Sequence, residues 1–267
     1  IAPEGGEGRW MGYFNAVLFA GMGAGPLIGG AITDAFSIKT TFLVMAVLNA
    51  AGLAATLLFL EEMPRKTGAH GHDSIFAPLR SRILRGVFGY RMAAGVGTSS
   101  LMAFLPLFAG LKLGLSASLI GILIAARTPV AVLQSYTGQL ADRWNRRTMV
   151  VWGGLVSAAA IALLPLSGGF WLLLFFYLAA TLGQTYGIPP ANAYVVHEGR
   201  VYGMGASMTM FMMAMQVGNG VGPVVLGSIA DRLGLPSAFY AAGICAAGGV
   251  ASFAWMVRSG TRENTAR

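Results

Sequence analysis

Apolar residues fill eight long stretches of this chain, at 10–32, 41–60, 86–111, 119–140, 149–166, 171–195, 204–230 and 237–257. Polar and basic residues are left to the breaks between them. Most of the stretches meet the ~20 residues that a helix needs to cross a ~30 Å hydrocarbon core. The pattern predicts an all-α polytopic membrane protein with eight transmembrane helices. All connections but one are short, so helices adjacent in sequence are expected to be antiparallel neighbours. The long break, 61–85, carries Pro64, Pro78, five basic residues, His70 and His72, and is expected to be a cytoplasmic linker between helical bundles. Its His-x-His pair lacks the further Cys or His of a tetrahedral metal set, so it is read as solvated loop with no metal bound.

One stretch returns as a near copy. Gly21, Gly23, Gly25, Pro26, Gly30, Asp34 and Phe42 recur, at a constant offset of 197 residues, as Gly218, Gly220, Gly222, Pro223, Gly227, Asp231 and Phe239. Six apolar stretches make up one period, so the repeating unit is six helices. The chain is then expected to hold the last two helices of one unit (1–60), the linker (61–85) and a whole second unit (86–267). Four N-terminal helices of a twelve-helix protein would lie outside it, and the start at Ile1 without an initiator Met fits that expectation.

Composition agrees with the membrane class: 55% hydrophobic residues, 10% charged and a mean hydropathy of +0.66. Net charge is +8, yet its placement is topological rather than a sign of nucleic-acid binding. With the N-terminus inside and alternating spans, thirteen basic residues face the cytoplasm against three (Lys39, Lys112 and Arg232) outside. That is the positive-inside bias, and it places both ends of the chain in the cytoplasm. The lone Cys245 excludes an intrachain disulfide. No G-x4-G-K-[ST] sequence occurs, which argues against an ATP-driven pump, and no cofactor is indicated. No Ser/His/Asp, Cys/His or metal-ligand constellation lies within the spans, so an enzyme is not expected.

Two motifs carry a family resemblance. Gly12, Gly21, Gly25, Pro26, Gly29 and Gly30 form G-x8-G-x3-G-P-x2-G-G, a set of small residues that lets another helix backbone approach, with Pro26 expected to bend the helix. This run resembles the antiporter motif of drug:proton antiporters in the major facilitator superfamily. Gly138, Asp142, Arg143, Asn145, Arg146 and Arg147 resemble that superfamily's signature loop, G-x-x-x-D-R-x-G-R-R, with Asn145 in the place of a glycine. Asn is the next most tolerant residue of a left-handed turn, so a turn of that kind is expected there. Asp142 is expected near residues 8–12 with Arg9 as an ionic partner, and the loop is expected to gate conformational change. The plain alternative for this segment is a polybasic turn at the lipid headgroups.

Intramembrane ionisable residues mark function by default. All ten acids fall in loops or at span ends, and only Arg91 and Arg127 are intramembrane cations. Arg91 is close enough to the inner interface to snorkel. Arg127 lies deeper, with Gln134 on its face and Pro129 between them. It is read either as a cavity residue for an anionic group or a distant acid, or as half of a structural interhelical pair. Thr181, Gln184, Thr185 and Asn192 form one polar stripe, and Met208, Met212, Met215, Gln216 and Asn219 another. Flexible, polarisable methionines suit varied apolar ligands, although tight packing explains any single one equally well. The candidate substrate-binding set is therefore Arg127, Gln134, Gln184, Asn192, Met212 and Gln216.

The resemblance implies a secondary transporter of the bacterial inner-membrane type. Two six-helix bundles would alternate access to a midplane site, exchanging protons for small amphipathic or drug-like solutes. A sugar or metabolite carrier, and a non-transporting scaffold or sensor, are the other classes that the pattern allows.

Overall fold

The computed structural model describes residues 7–59, 76–132 and 145–265. They form nine α-helices: α1 (Glu7–Ala35), α2 (Ile38–Phe59), α3 (Arg82–Leu111), α4 (Ala117–Ala125), α5 (Arg127–Val132), α6 (Arg146–Leu163), α7 (Phe170–Tyr202), α8 (Met204–Leu233) and α9 (Leu235–Thr265). Short 3-10 turns at Ala77–Arg80 and Leu164–Leu166 precede α3 and close α6. No strand occurs among the described residues. Six helical stretches are both long and apolar enough to cross a membrane: 38–58, 82–111, 146–166, 170–202, 204–233 and 235–257. At 29 residues, α1 has the length as well.

The chain divides into two compact units, residues 1–72 with 115–128, and residues 73–114 with 129–267. In the first, α1 packs along α4 and touches α2. In the second, α3 lies between α8 and α9, α6 lies against α7 and α9, and α7 meets α8. Its core joins Leu84, Val87, Tyr90, Val150, Val195, Phe211, Val250 and Phe253, all buried. Without hydrophobic force between helices in lipid, close backbone approach must supply the packing. Gly153 of α6 and Gly183 of α7 face each other so closely that a Cβ on either would lie 2.5–2.6 Å from the other's carbonyl oxygen.

Caps and hinges follow local chemistry. The Ser81 hydroxyl accepts from Leu84 N at 3.3 Å and donates to Glu198 Oε2 at 2.8 Å, starting α3 and tying it to the end of α7. Single residues, Gly203 and Gly234, join α7 to α8 and α8 to α9, with φ of 93° and 88°. Only glycine enters that region without a Cβ penalty, so these one-residue hinges depend on it.

Three local expectations are corrected. The fourth span breaks at Ala126, and Pro129 falls in the first turn of α5, where its missing N–H leaves no bond unmade. Pro165 lies in the 3-10 turn that ends α6 rather than within a span helix. Asn145 adopts φ −66° and ψ 108°, so it makes no left-handed turn. His197 lies in the closing turns of α7, outside any loop, with Nδ1 3.8 Å from Glu198 Oε1.

Candidate functional site

The glycine-rich run lies wholly within α1, and its residues do different work. Among the described residues, a Cβ on Gly21 or Gly25 would meet nothing within 4 Å, whereas one on Gly30 would stand 2.5 Å from Ala117 O of α4. Gly121 of α4 presses in turn on the carbonyl oxygen of Pro26. Gly29 faces Thr41 of α2 at 3.8 Å, and Thr33 Oγ1 and Thr41 Oγ1 are hydrogen-bonded at 2.8 Å. Gly12 lies in the second turn of α1. At the C-terminal end of α1, the Asp34 carboxylate accepts from Ala117 N (2.9 Å) and Ser118 N (2.7 Å), the first two residues of α4. The Ser118 hydroxyl and N–H, together with Ala117 N–H, hold this carboxyl below its ordinary value of 3.8.

In the signature segment, Gly138, Asp142 and Arg143 lie outside the described residues, and so does the expected meeting of Asp142 with residues 8–12. Asn145 caps α6, accepting from Arg147 N at 3.0 Å and Thr148 N at 3.4 Å. Arg147 Nη2 donates to Ala254 O of α9 at 3.0 Å, so this arginine joins two helices. Arg146 opens α6 beside it.

The candidate substrate residues sit in different local settings. Arg127 is half-buried at the start of α5, and Gln134 lies outside the described residues. Gln184 is buried, accepts from Thr98 Oγ1 of α3 at 3.3 Å and borders a void of only about 10 Å³. It serves as a strut between α3 and α7. Asn192 Oδ1 is buried with no hydrogen-bond partner among the described residues. Met212 and Gln216 are exposed on α8, where Gln216 Oε1 accepts from Asn219 Nδ2 at 3.3 Å. An apolar hollow of about 360 Å³ between α6 and α7, and one of about 300 Å³ on α3, α8 and α9, are lined by none of these side chains.

Arg91 has the more distinctive surroundings. It lies about 13 Å along α3 from Arg82 at 1.5 Å per residue. Its guanidinium is held by side chains of α8. Nη2 donates to Met215 Sδ at 2.7 Å, and Cζ sits 5.0 Å over the Phe211 ring. The contact is a cation–π one, and Nε is buried with no partner among the described residues. No carboxylate reaches ion-pair distance of Arg91 among the described residues. Its spacing from the helix start was the same evidence that suggested snorkelling; the aromatic on α8 that holds it has no signature in the sequence around Arg91.

A family model described as Major Facilitator Superfamily matches twice, over residues 1–126 and 87–267. The chain is 25% identical over 247 residues to an uncharacterized MFS-type transporter of Methanocaldococcus jannaschii, covering 90% of this chain and 64% of that protein. It is 30% identical over 115 residues to multidrug resistance protein MdtH of Yersinia enterocolitica, and 33% over 118 residues to MdtH of Shigella boydii. Those matches cover 43% and 44% of this chain and 29% of each relative, so the chain spans less than two thirds of the length of the relatives it matches. Two family matches that together run from end to end, on a helical fold with six membrane-length helices, make this chain a member of the Major Facilitator Superfamily, a family of membrane transporters and not of enzymes.

Proposed function

We propose that the chain forms part of a secondary transporter that exports small amphipathic or drug-like solutes in exchange for protons by alternating access. The observation that carries this reading is the complete glycine-proline run of α1, seated on α4 through Gly30 and Pro26. The partial likeness to multidrug resistance proteins supports it. In this reading residues 1–60 belong to one bundle, 61–85 to the linker and 86–267 to the second bundle, with both ends of the chain in the cytoplasm of a bacterial inner-membrane protein. Substrate meets Arg127, Gln134, Asn192, Met212 and Gln216, with Gln184 bracing the wall. The segment from Gly138 to Arg147 gates the inner face. All ten acids lie in loops or at span ends, so the reading assigns the proton-carrying group to helices outside this chain.

A second reading has its own support. An uncompensated guanidinium beside Met215 and Phe211 suits an anionic or zwitterionic solute, as a metabolite carrier would handle. The test is dye retention in cells expressing the complete protein, with and without an uncoupler. Extrusion that the uncoupler abolishes is the expected result. Uptake of an anionic solute driven by protons, with no dye extrusion, would overturn the efflux reading in favour of the second.

A further inference from the structure

Three buried polar side chains of the second unit surround one small void. Tyr90 of α3, Ser157 of α6 and Gln184 of α7 are 3%, 5% and 9% exposed, and polar atoms form part of the wall that they share. Small or aliphatic residues, Gly97, Gly154 and Val250 among them, complete it where α3, α6, α7 and α9 meet. Ser157 stands about 16 Å along α6 from Arg146 at 1.5 Å per residue, well inside the bundle.

The neighbouring backbones make room for the tyrosine. A Cβ on Gly154 would stand 3.1 Å from Tyr90 Cε2, and one on Gly187 would collide with the Tyr90 hydroxyl. Tyr90 therefore enters a slot that glycines of α6 and α7 leave open, with its ring centroid 5.9 Å from that of Phe253. Its hydroxyl makes no hydrogen bond to another described residue, and neither does Ser157 Oγ. Gln184 Oε1 accepts from Thr98 Oγ1 at 3.3 Å, which leaves the Nε2 donors without an acceptor among the described residues.

Hydroxyl and amide groups withdrawn from water cost free energy unless they are paired. One water molecule, with its two donors and two acceptor sites, can answer all three, and a buried water typically makes about three hydrogen bonds. The void, about 10 Å³, has room for a single one. We propose that Tyr90, Ser157 and Gln184 hold one resident water that joins α3, α6 and α7. Gln184 Nε2 donates to it, it accepts from one hydroxyl, and it donates to the other. A hard cation is a poorer fit, because no carboxylate lines the void and the Gln184 oxygen is engaged, leaving two hydroxyl oxygens where about six ligands are needed. Any organic solute is too large. The water gives Gln184 a second structural bond beside the one to Thr98, and neither depends on what the protein carries.

The test is X-ray hydroxyl-radical footprinting of the complete protein in lipid nanodiscs, in which radicals formed from a bound water modify the side chain beside it. Tyr177 is as buried as Tyr90 and does not line the void, so it serves as the internal standard. Modification of Tyr90 several-fold above Tyr177 is expected, falling to the level of Tyr177 in Ser157→Val, which fills the void and removes a hydroxyl. Should that variant fail to fold, Ser157→Ala keeps the shape, removes one partner of the water and should lower the modification as well. Tyr90 modified no more than Tyr177 would show a dry void and overturn the proposal, as would modification unchanged in the folded Ser157 variant. A thermal midpoint that rises with sodium but not with choline would assign the void to a cation and overturn it equally. None of these readings requires transport, so they stand apart from the test of the efflux reading.

Discussion

Asn145 holds the first turn of α6 by accepting from two backbone N–H groups, and it does so with φ −66°. Asn145→Ala should destabilise by about 1 kcal/mol, with Asn145→Gly costing only a few tenths, as read by thermal unfolding in detergent. A left-handed turn at this position would instead make Asn145→Gly neutral or stabilising, glycine being the best residue there. The family pattern was legible here but its local chemistry was not, because Asn suits both a turn and a cap and only the backbone decides between them. Asp34 makes a second prediction. Its carboxyl is depressed in the folded protein, so its contribution is present above the unfolded value and lost as pH falls through the lower folded one. The α1–α4 distance should therefore hold from neutral pH down to 3.8 and give way only below it. A distance that opened between pH 5 and 7 would show that another group controls the seam.

At the scale of elements, period and length were enough to place the helices, since an apolar run bounded by charge has few alternatives in a bilayer. The predicted 86–111 and 204–230 became Arg82–Leu111 and Met204–Leu233, longer at one end because polar end turns continue the helix beyond the apolar core. The break at Ala126 was signalled only by Pro129 three residues on, which fits a kink within one helix as well as the first turn of a new one. Which face each helix presents was partly legible: glycine spacing indicated close seams, but not that Gly218 finds α3 while Gly21 finds open space. Gly218→Leu should force α3 and α8 apart, since the new side chain would meet the backbone at Met92 rather than a movable side chain. A loss of roughly 1–3 kcal/mol is expected from overpacking of this kind. Gly21→Leu in this chain should cost far less, and comparing unfolding of the two checks the difference.

For the whole molecule, class and family followed from composition, repeat and motif, whereas the packing role of single polar side chains did not. Long side chains such as Gln184 choose between cavity and strut according to what the neighbouring helix offers, here Thr98. Arg91 is where the two functional readings part. If it recognises an anionic group, Arg91→Gln in the complete protein should lower uptake or export of anionic solutes tenfold or more while sparing cationic dyes, because one charge-assisted contact is worth about 1.5–3 kcal/mol. Equal loss for both solute classes would assign Arg91 to architecture alone. The second helix has a different consequence. None of the 38–58 window is buried among the described residues, and its mean hydropathy of 2.0 needs no polar partner to offset it. Its hydropathy alone is therefore enough for it to partition from translocon to lipid during synthesis, without help from helices made later. Nascent chains long enough for Phe59 to have cleared the ribosome should already be integrated, leaving α2 to act during synthesis as the anchor beside which later helices assemble.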